Sequence, residues 1–324
     1  MHLRRLTALI ALLVCTWMVA ESVAVTSYVN TVRKGEWVPA FFASDAEEEL
    51  GRRIEKEAPK RYKPPVDARV DPIWKAIPGL NGLEVDVRAT LEKTLKQKDH
   101  RKIAWVYRQV PPKVSLEDLG AEPIYRGNPE KRMTALMVNV AWGTEHIPDM
   151  LAILRRENVK ATFFLDGSWL QKNPDMARRI HAEGHEIGNH AWSHPLMSRI
   201  SRGQIEREIG RTNELIAETL KVKSRWFAPP AGDFNRQVAE VSRAHGMGMV
   251  LWTVDTVDWR KSVTPDRMIR TMREKLEPGS LVLTHPTDRT VLALPGILEE
   301  GRRKGLRWGT VSEVLSPKRP EAIE

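Results

Sequence analysis

Cysteine is almost absent from this chain: of 324 residues only Cys15 carries a thiol, and it lies inside an N-terminal apolar run. The body can therefore form no disulfide and no cysteine-ligated metal centre; a metal site here must use His and carboxylates. Long hydrophobic stretches are missing as well. Leu6 to Ala20 is the one near-continuous apolar run, and at about 15 residues it is shorter than the roughly 20 that span a bilayer. Blocks of a single charge sign are scarce: Lys and Arg (51) are mixed with Asp and Glu (42) along the chain. The net charge of +9 favours polyanionic surroundings, but with no concentrated basic stripe nucleic acid is not expected as a partner. No short tandem repeat is present. What remains is a soluble globular composition, 41% hydrophobic and 29% charged, long enough for a large domain and a smaller one.

In chain order, two arginines before an apolar run give residues 1–26 the layout of a signal peptide or an N-terminal anchor. Ser22-Val23-Ala24 offers small residues for cleavage, and apolarity continuing to Val25 favours an anchor. Either way the body is expected on the extracytoplasmic side, held to the membrane if the segment is uncleaved. Residues 27–70 read as a charged, proline-broken linker containing a solvated helix over Asp45 to Glu57. Residues 71–126 read as a small α/β unit, with strands near Leu83 to Val87 and Ala104 to Val110 around a helix from Ala89 to Lys98. Residues 127–317 form the main domain, and 318–324 a tail.

From Met133 onward strand and helix patterns alternate, which predicts parallel βα units with the site at the carboxyl ends of strands. Strands are expected at Thr134 to Ala141, Ala161 to Leu165, His185 to Asn189, Arg225 to Phe227, Gly248 to Val254 and Ser280 to Thr284. Ser201 and Gln204 form a capping-box pattern ahead of a long helix. The stretch Gly184 to Pro195 carries His190 and His194, four residues apart, so that both rings can face one point; imidazole pairs of this kind suit Zn, Fe, Co or Ni. Asp166, Asp255 with Asp258, and His285 stand at other strand ends. Each alone reads equally well as a helix cap or a loop residue; together they suggest a shared site.

These residues carry a resemblance. Ala161-Thr162-Phe163-Phe164, the Gly184 to Pro195 stretch, Asp255-Thr256-Val257-Asp258-Trp259, Pro278-Gly279-Ser280, Leu283-Thr284-His285 and Gly305 to Leu315 occur in the order and spacing of the NodB-homology domain of polysaccharide deacetylases. The segment Ile124 to Pro129, followed by Asn139 to Glu145, is similar to the YlxY-like sporulation branch of that family. The resemblance implies an α/β fold, a distorted (β/α) barrel. It implies a divalent metal, zinc foremost, and removal of acetyl groups (C–N bonds other than peptide bonds) from amino-sugar polymers such as peptidoglycan or chitin. By position it assigns His190 and His194 to the metal and His285 to the general acid. Asp258 then orients that histidine, while Trp142, Trp259 and Leu283 line the cleft.

Two departures weaken the expected chemistry. The family's first-motif Asp pair is replaced by Ala141-Trp142, which removes the base and one metal ligand, and Ala228 stands where an Arg steadies that base. Glu145, Asp166 and Asp233 are the nearby carboxylates from which a third ligand could come. Two functions are therefore carried forward. One is a weakened deacetylase. The other is a lapsed one, holding no metal, that binds glycan or serves as a scaffold in the cell or spore envelope.

Overall fold

The computed structural model describes residues 45–320; the expected signal or anchor segment lies outside them. Among the described residues no helix is long and apolar enough to cross a membrane. The chain divides into two compact units, one comprising 45–63 and 83–109, the other 64–82 and 110–320. The expected small unit over 71–126 is thus divided: its 83–109 portion belongs with the helix of the expected linker, and its ends belong with the main domain.

In the smaller unit, α1 (Asp45–Glu57) places Leu50 and Ile54 one turn apart on a single face. They bury against Leu91, with Val87, Leu95, Ile103 and Trp105 around them. Two short strands of the larger unit, β1 (Arg69–Asp71) and β2 (Lys75–Ile77), form an antiparallel hairpin. Back in the smaller unit, β3 (Gly82–Val85) pairs with β4 (Tyr107–Val110). The helix between them, α2 (Val87–Leu95), starts where the strand was expected to continue, because the Asp86 side chain accepts from Ala89 N at 2.8 Å and caps it.

The larger unit is an α/β fold built on a curled, wholly parallel sheet. Its central strand β5 (Met133–Val140) is buried along its full length, and its two faces alternate with period two. Leu136, Val138 and Val140 pack under the outer helices, while Met133, Ala135 and Met137 face a second cluster with Phe164, Trp226 and Leu281. The remaining elements follow as α3 (Ile147–Arg156), β6 (Thr162–Leu165), α4 (Gly167–Lys172), α5 (Pro174–Ala182) and β7 (Glu186–Asn189). Next come α6 (Arg202–Leu220), β8 (Trp226–Phe227), α7 (Arg236–Ala244), β9 (Gly248–Met249), β10 (Val254–Asp255) and α8 (Pro265–Lys275). The chain ends through β11 (Leu281–Thr284), α9 (Asp288–Arg303), β12 (Arg307–Gly309) and α10 (Val311–Leu315).

Strand order is β10-β11-β5-β6-β7-β8-β9, with β12 also on β5. This is the expected distorted (β/α) barrel, its wall open between β9 and β10. The run Gly248 to Val254, expected as one strand, is two, because Val250 and Leu251 turn to the chain entering the barrel: Ile124 N donates to Met249 O at 2.9 Å and Leu251 N to Ile124 O at 2.8 Å. Two residues on, Arg126 bridges Ser280. The strap 124–126 thus lies across the open side.

Candidate active site

Register places the candidate residues. Val140 pairs with Leu165 and Leu165 with Asn189, so Ala141, Asp166 and His190 emerge side by side from β5, β6 and β7. Asn189 in turn pairs with Phe227, which sets Ala228 beside His190.

His190 is 1% exposed, and its Nδ1 lies 2.7 Å from the Ala228 carbonyl oxygen. Only an N–H can bond a carbonyl, so Nδ1 carries the proton and Nε2 keeps its lone pair. Burial, reinforced by neighbouring His194, pushes the His190 pKa down to about 3, so the ring is neutral at pH 7. The His194 ring stands edge-on to it, centroids 5.2 Å apart at 71°. Getting both rings to one side requires left-handed backbone at Ala191 (φ +62°) and His194 (φ +57°).

One local bond and several long-range ones hold that loop. Ala191 N donates to Asn189 Oδ1 at 2.8 Å; Gly167 N and Ser168 N donate to the carbonyls of Ala191 and Trp192, each at 2.9 Å. From α6 the Glu208 carboxylate accepts from Trp192 N, Ser193 N and Ser193 Oγ, all at 2.8 Å. The guanidinium of Arg211 lies 3.5 Å over the Trp192 ring.

Across the cleft, fully buried Asp258 accepts from His285 Nδ1 at 2.8 Å, His285 N at 2.6 Å and Thr290 Oγ1 at 2.5 Å. Arg289 Nη2 donates to the Asp258 carbonyl at 2.9 Å. The turn delivering Asp258 is strained: Val257, a β-branched residue, sits at φ +56°, held by its N–H on Asp255 Oδ1 at 2.7 Å. Burial raises the pKa of Asp255, and the adjacent Asp258 charge adds to that.

Trp142 covers His285. Its indole stacks on the His285 ring, centroids 5.8 Å apart and planes 7° from parallel, with 45% of the residue still exposed. Gly143 behind it has φ +76°, and a Cβ there would stand 2.0 Å from Pro286 O, so only glycine lets these two loops meet. Trp259 is 48% exposed, with Arg260 4.6 Å from its ring, and Leu283 is buried.

The three candidate carboxylates fare differently. Glu145 is exposed and faces His146 Nε2 at 3.7 Å. Asp233 spends both oxygens on Ser198, accepting from N at 2.7 Å and Oγ at 2.9 Å; it is a loop brace. Asp166 caps α4: Oδ1 accepts from Ser168 Oγ at 2.6 Å and Trp169 N at 2.9 Å, while Oδ2 is buried without a partner. Among the described residues no three His, Cys, Asp or Glu side chains form a ready-made metal group. Two imidazoles without the family's carboxylate are an incomplete donor set.

Local sequence pattern did not single out Glu208, Asn189, Arg289, Thr290 or the Ala228 carbonyl. All act across distant segments, and Thr290 and Glu208 carry no motif of their own.

A polysaccharide deacetylase family model matches residues 126–250. The uncharacterized protein YlxY of Bacillus subtilis is 43% identical over 270 residues, covering 83% of this chain and 84% of that protein. A peptidoglycan-N-acetylglucosamine deacetylase of Bacillus cereus is 32% identical over 196 residues, covering 59% of this chain and 71% of its own length. Among solved structures, a CE4 family pseudoenzyme from Bacillus anthracis is 40% identical with a TM-score of 0.77, covering 84% of this chain and 96% of that one. A mutant of that pseudoenzyme, also at TM-score 0.77, has restored enzymatic activity. With its curled parallel sheet and its His190, His194, Asp258 and His285 at the strand ends, the chain belongs to the polysaccharide deacetylase family.

Proposed function

We propose that this protein is a peptidoglycan-binding member of its family in which hydrolysis has lapsed. The observation that carries the reading is the cleft between β5 and β11. Ala141 offers no base, and Trp142 lays its indole on His285 where a carboxylate would stand. Loss of a general base alone removes about 10²–10⁴-fold in rate. The same change leaves an exposed aromatic face suited to stacking on a sugar ring. Peptidoglycan is the first choice of glycan because relatives 32% identical over 172 to 196 residues are peptidoglycan deacetylases; chitin-like oligomers are the comparison ligand. The likeness to a pseudoenzyme supports the loss of hydrolysis.

A second reading, a slow zinc-dependent deacetylase, draws on the intact Asp258–His285 pair. Both readings include a body outside the cytoplasmic membrane, which the basic and apolar N-terminus supports, and a sporulation setting, which the resemblance of residues 124–145 supports.

Calorimetric titration with peptidoglycan fragments, run beside an acetate-release assay, separates the two. The expected result is saturable binding with no acetate released at pH 6–9 with added Zn, Co or Mn. Trp142→Ala should weaken binding about 2- to 12-fold, the equivalent of an aromatic contact of about 0.5–1.5 kcal/mol. Acetate release establishes the second reading; failure to bind any glycan removes the first.

A further inference from the structure

Exposed apolar side chains and basic loops gather at the end of the barrel opposite the cleft. We propose that this end is a membrane-docking face: the tip of the β1–β2 hairpin enters an anionic lipid surface, and the basic residues around it hold the headgroups.

The hairpin tip is the first argument. Asp71 pairs with Lys75, which leaves Pro72, Ile73 and Trp74 as the turn. The Asp71 carboxylate accepts from Ile73 N at 2.9 Å and Trp74 N at 2.8 Å, and Lys75 Nζ donates to Pro72 O at 3.1 Å. The turn is thus fixed in shape while its apolar side chains meet water: Ile73 is 73% exposed and Val70 52%. Single exposed apolar residues are ordinary. Two of them with a tryptophan on one braced turn, beside exposed Arg69, have the make-up of an interfacial wedge.

Position is the second. The Arg126 guanidinium stands 5.5 Å from the Trp74 ring, and its Nη2 donates at 2.9 Å to Pro278 O, in the turn that enters β11. The tip therefore lies toward the amino-terminal ends of the strands, whereas His190 and His285 follow the carboxyl ends of β7 and β11. A body docked by this tip turns its cleft away from the bilayer.

Charge is the third. In a parallel sheet the returning helices end where the strands begin. All of α3, α5, α7, α8 and α9 carry Arg or Lys in the last turn, and α3, α5, α8 and α9 carry Asp in the first. The helix dipole favours that arrangement, and Glu157, Glu183 and Glu300 pair with some of these arginines. Neither accounts for the loops, where Arg132, Lys160, Lys221 and Lys223 add to the same end. Arg132 and Lys160 donate to the carbonyls of Lys304 and Glu183, which carry no formal charge to cancel theirs. A soluble polyanion would use these cations and leave Ile73 and Val70 in water. An anionic bilayer uses both, at about 5-fold in affinity for each basic residue near its surface. The face acts independently of what the cleft binds.

The test uses the full chain with Cys15→Ser, so that one nitroxide can be attached through Ile73→Cys or through Leu292→Cys. Leu292 is the control, 70% exposed in the first turns of α9 at the cleft end. Each is mixed with phosphatidylcholine vesicles, with and without phosphatidylglycerol, and its collisions with lipid-soluble oxygen are compared with those of a water-soluble nickel chelate. On anionic vesicles the label at 73 should gain oxygen contact and lose nickel contact, while the label at 292 should not change. Lys223→Glu with Lys275→Glu, two exposed positions away from the cleft, should weaken docking at least about 25-fold with the label itself unaltered. A label at 73 that stays in water, equal immersion of both labels, or immersion untouched by the charge reversal overturns the proposal. Binding of inorganic polyphosphate without docking to vesicles marks a wall-polymer surface and refutes the lipid one; a label at 73 shielded before vesicles are added marks a protein contact instead. Titration of the same preparations with peptidoglycan fragments reads the cleft separately, so docking lost with glycan binding kept removes this proposal alone.

Discussion

Asp258 should be worth more to the fold than to any reaction. Its carboxylate is fully buried and takes three donors, two from His285 and one from Thr290. Each hydrogen bond to a charged group contributes about 1.5–3 kcal/mol net, but the three share one acceptor and are not additive. Replacing the group by Ala strands all three donors. The expected cost is about 3–5 kcal/mol, the range for removing one partner of a buried charged contact. Against a typical total of about 5–15 kcal/mol that is a large fraction. Thr290→Val, which removes one donor and no charge, should cost only about 1–2 kcal/mol. The assay is urea denaturation followed by near-ultraviolet circular dichroism, which reports tertiary packing around the tryptophans. If Asp258→Ala unfolds within about 1 kcal/mol of wild type, the structural account of this residue is wrong. If the cost is as large as expected, the persistence of an acid–His pair beside a missing base needs no catalysis to explain it.

Three further outcomes are expected. Ala141→Asp, Trp142→Asp and Ala228→Arg combined should raise acetate release from peptidoglycan by at least about 10²-fold, the lower share of a general base; a folded triple variant without that gain would show that more than these groups is missing. Glu208→Ala should loosen the loop 191–193 and cost about 1–2 kcal/mol, because water reaches Ser193 and compensates part of the loss. Hydrogen exchange at Trp192 and Ser193 checks this, and Glu208→Gln should fall between. His185 is buried against Phe163, and burial holds its pKa near about 4 against an ordinary 6.5. The folded state therefore keeps the ring neutral while the unfolded chain protonates it. Stability is full above pH about 6.5 and declines as pH falls toward about 4, by up to about 1.4 kcal/mol per unit. In urea titrations across that range His185→Gln should give a flatter profile; parallel profiles contradict the assignment.

The parts legible in the sequence were those written in local pattern. Period-two and period-3.6 runs marked the βα alternation, and the Ser201–Gln204 capping box is present in the structure. The helix Asp45–Glu57 has the ends its charge pattern gave. What stayed illegible depends on partners far away in sequence. Nothing near Asp258 announces Thr290, nor anything near Trp192 the Glu208 brace. Three carboxylates looked alike as spare ligands; only tertiary packing gave Asp233 two bonds from Ser198, left Glu145 in solvent and left one oxygen of Asp166 buried without a partner. The divided unit over 71–126 has the same origin, since chain proximity says little about which core a segment joins.

The strap 124–126 bears on where the protein can be cut. Ile124 bonds Met249 and Leu251 and bridges Lys75, and Arg126 bridges Ser280. A fragment beginning at residue 127 would leave β9 with unpaired backbone groups, and such bare edges recruit other chains. Soluble expression of the main domain alone should therefore require a start upstream of Ile124. The strap, at the start of the family-matched region 126–250, thus shields that edge from pairing with other chains.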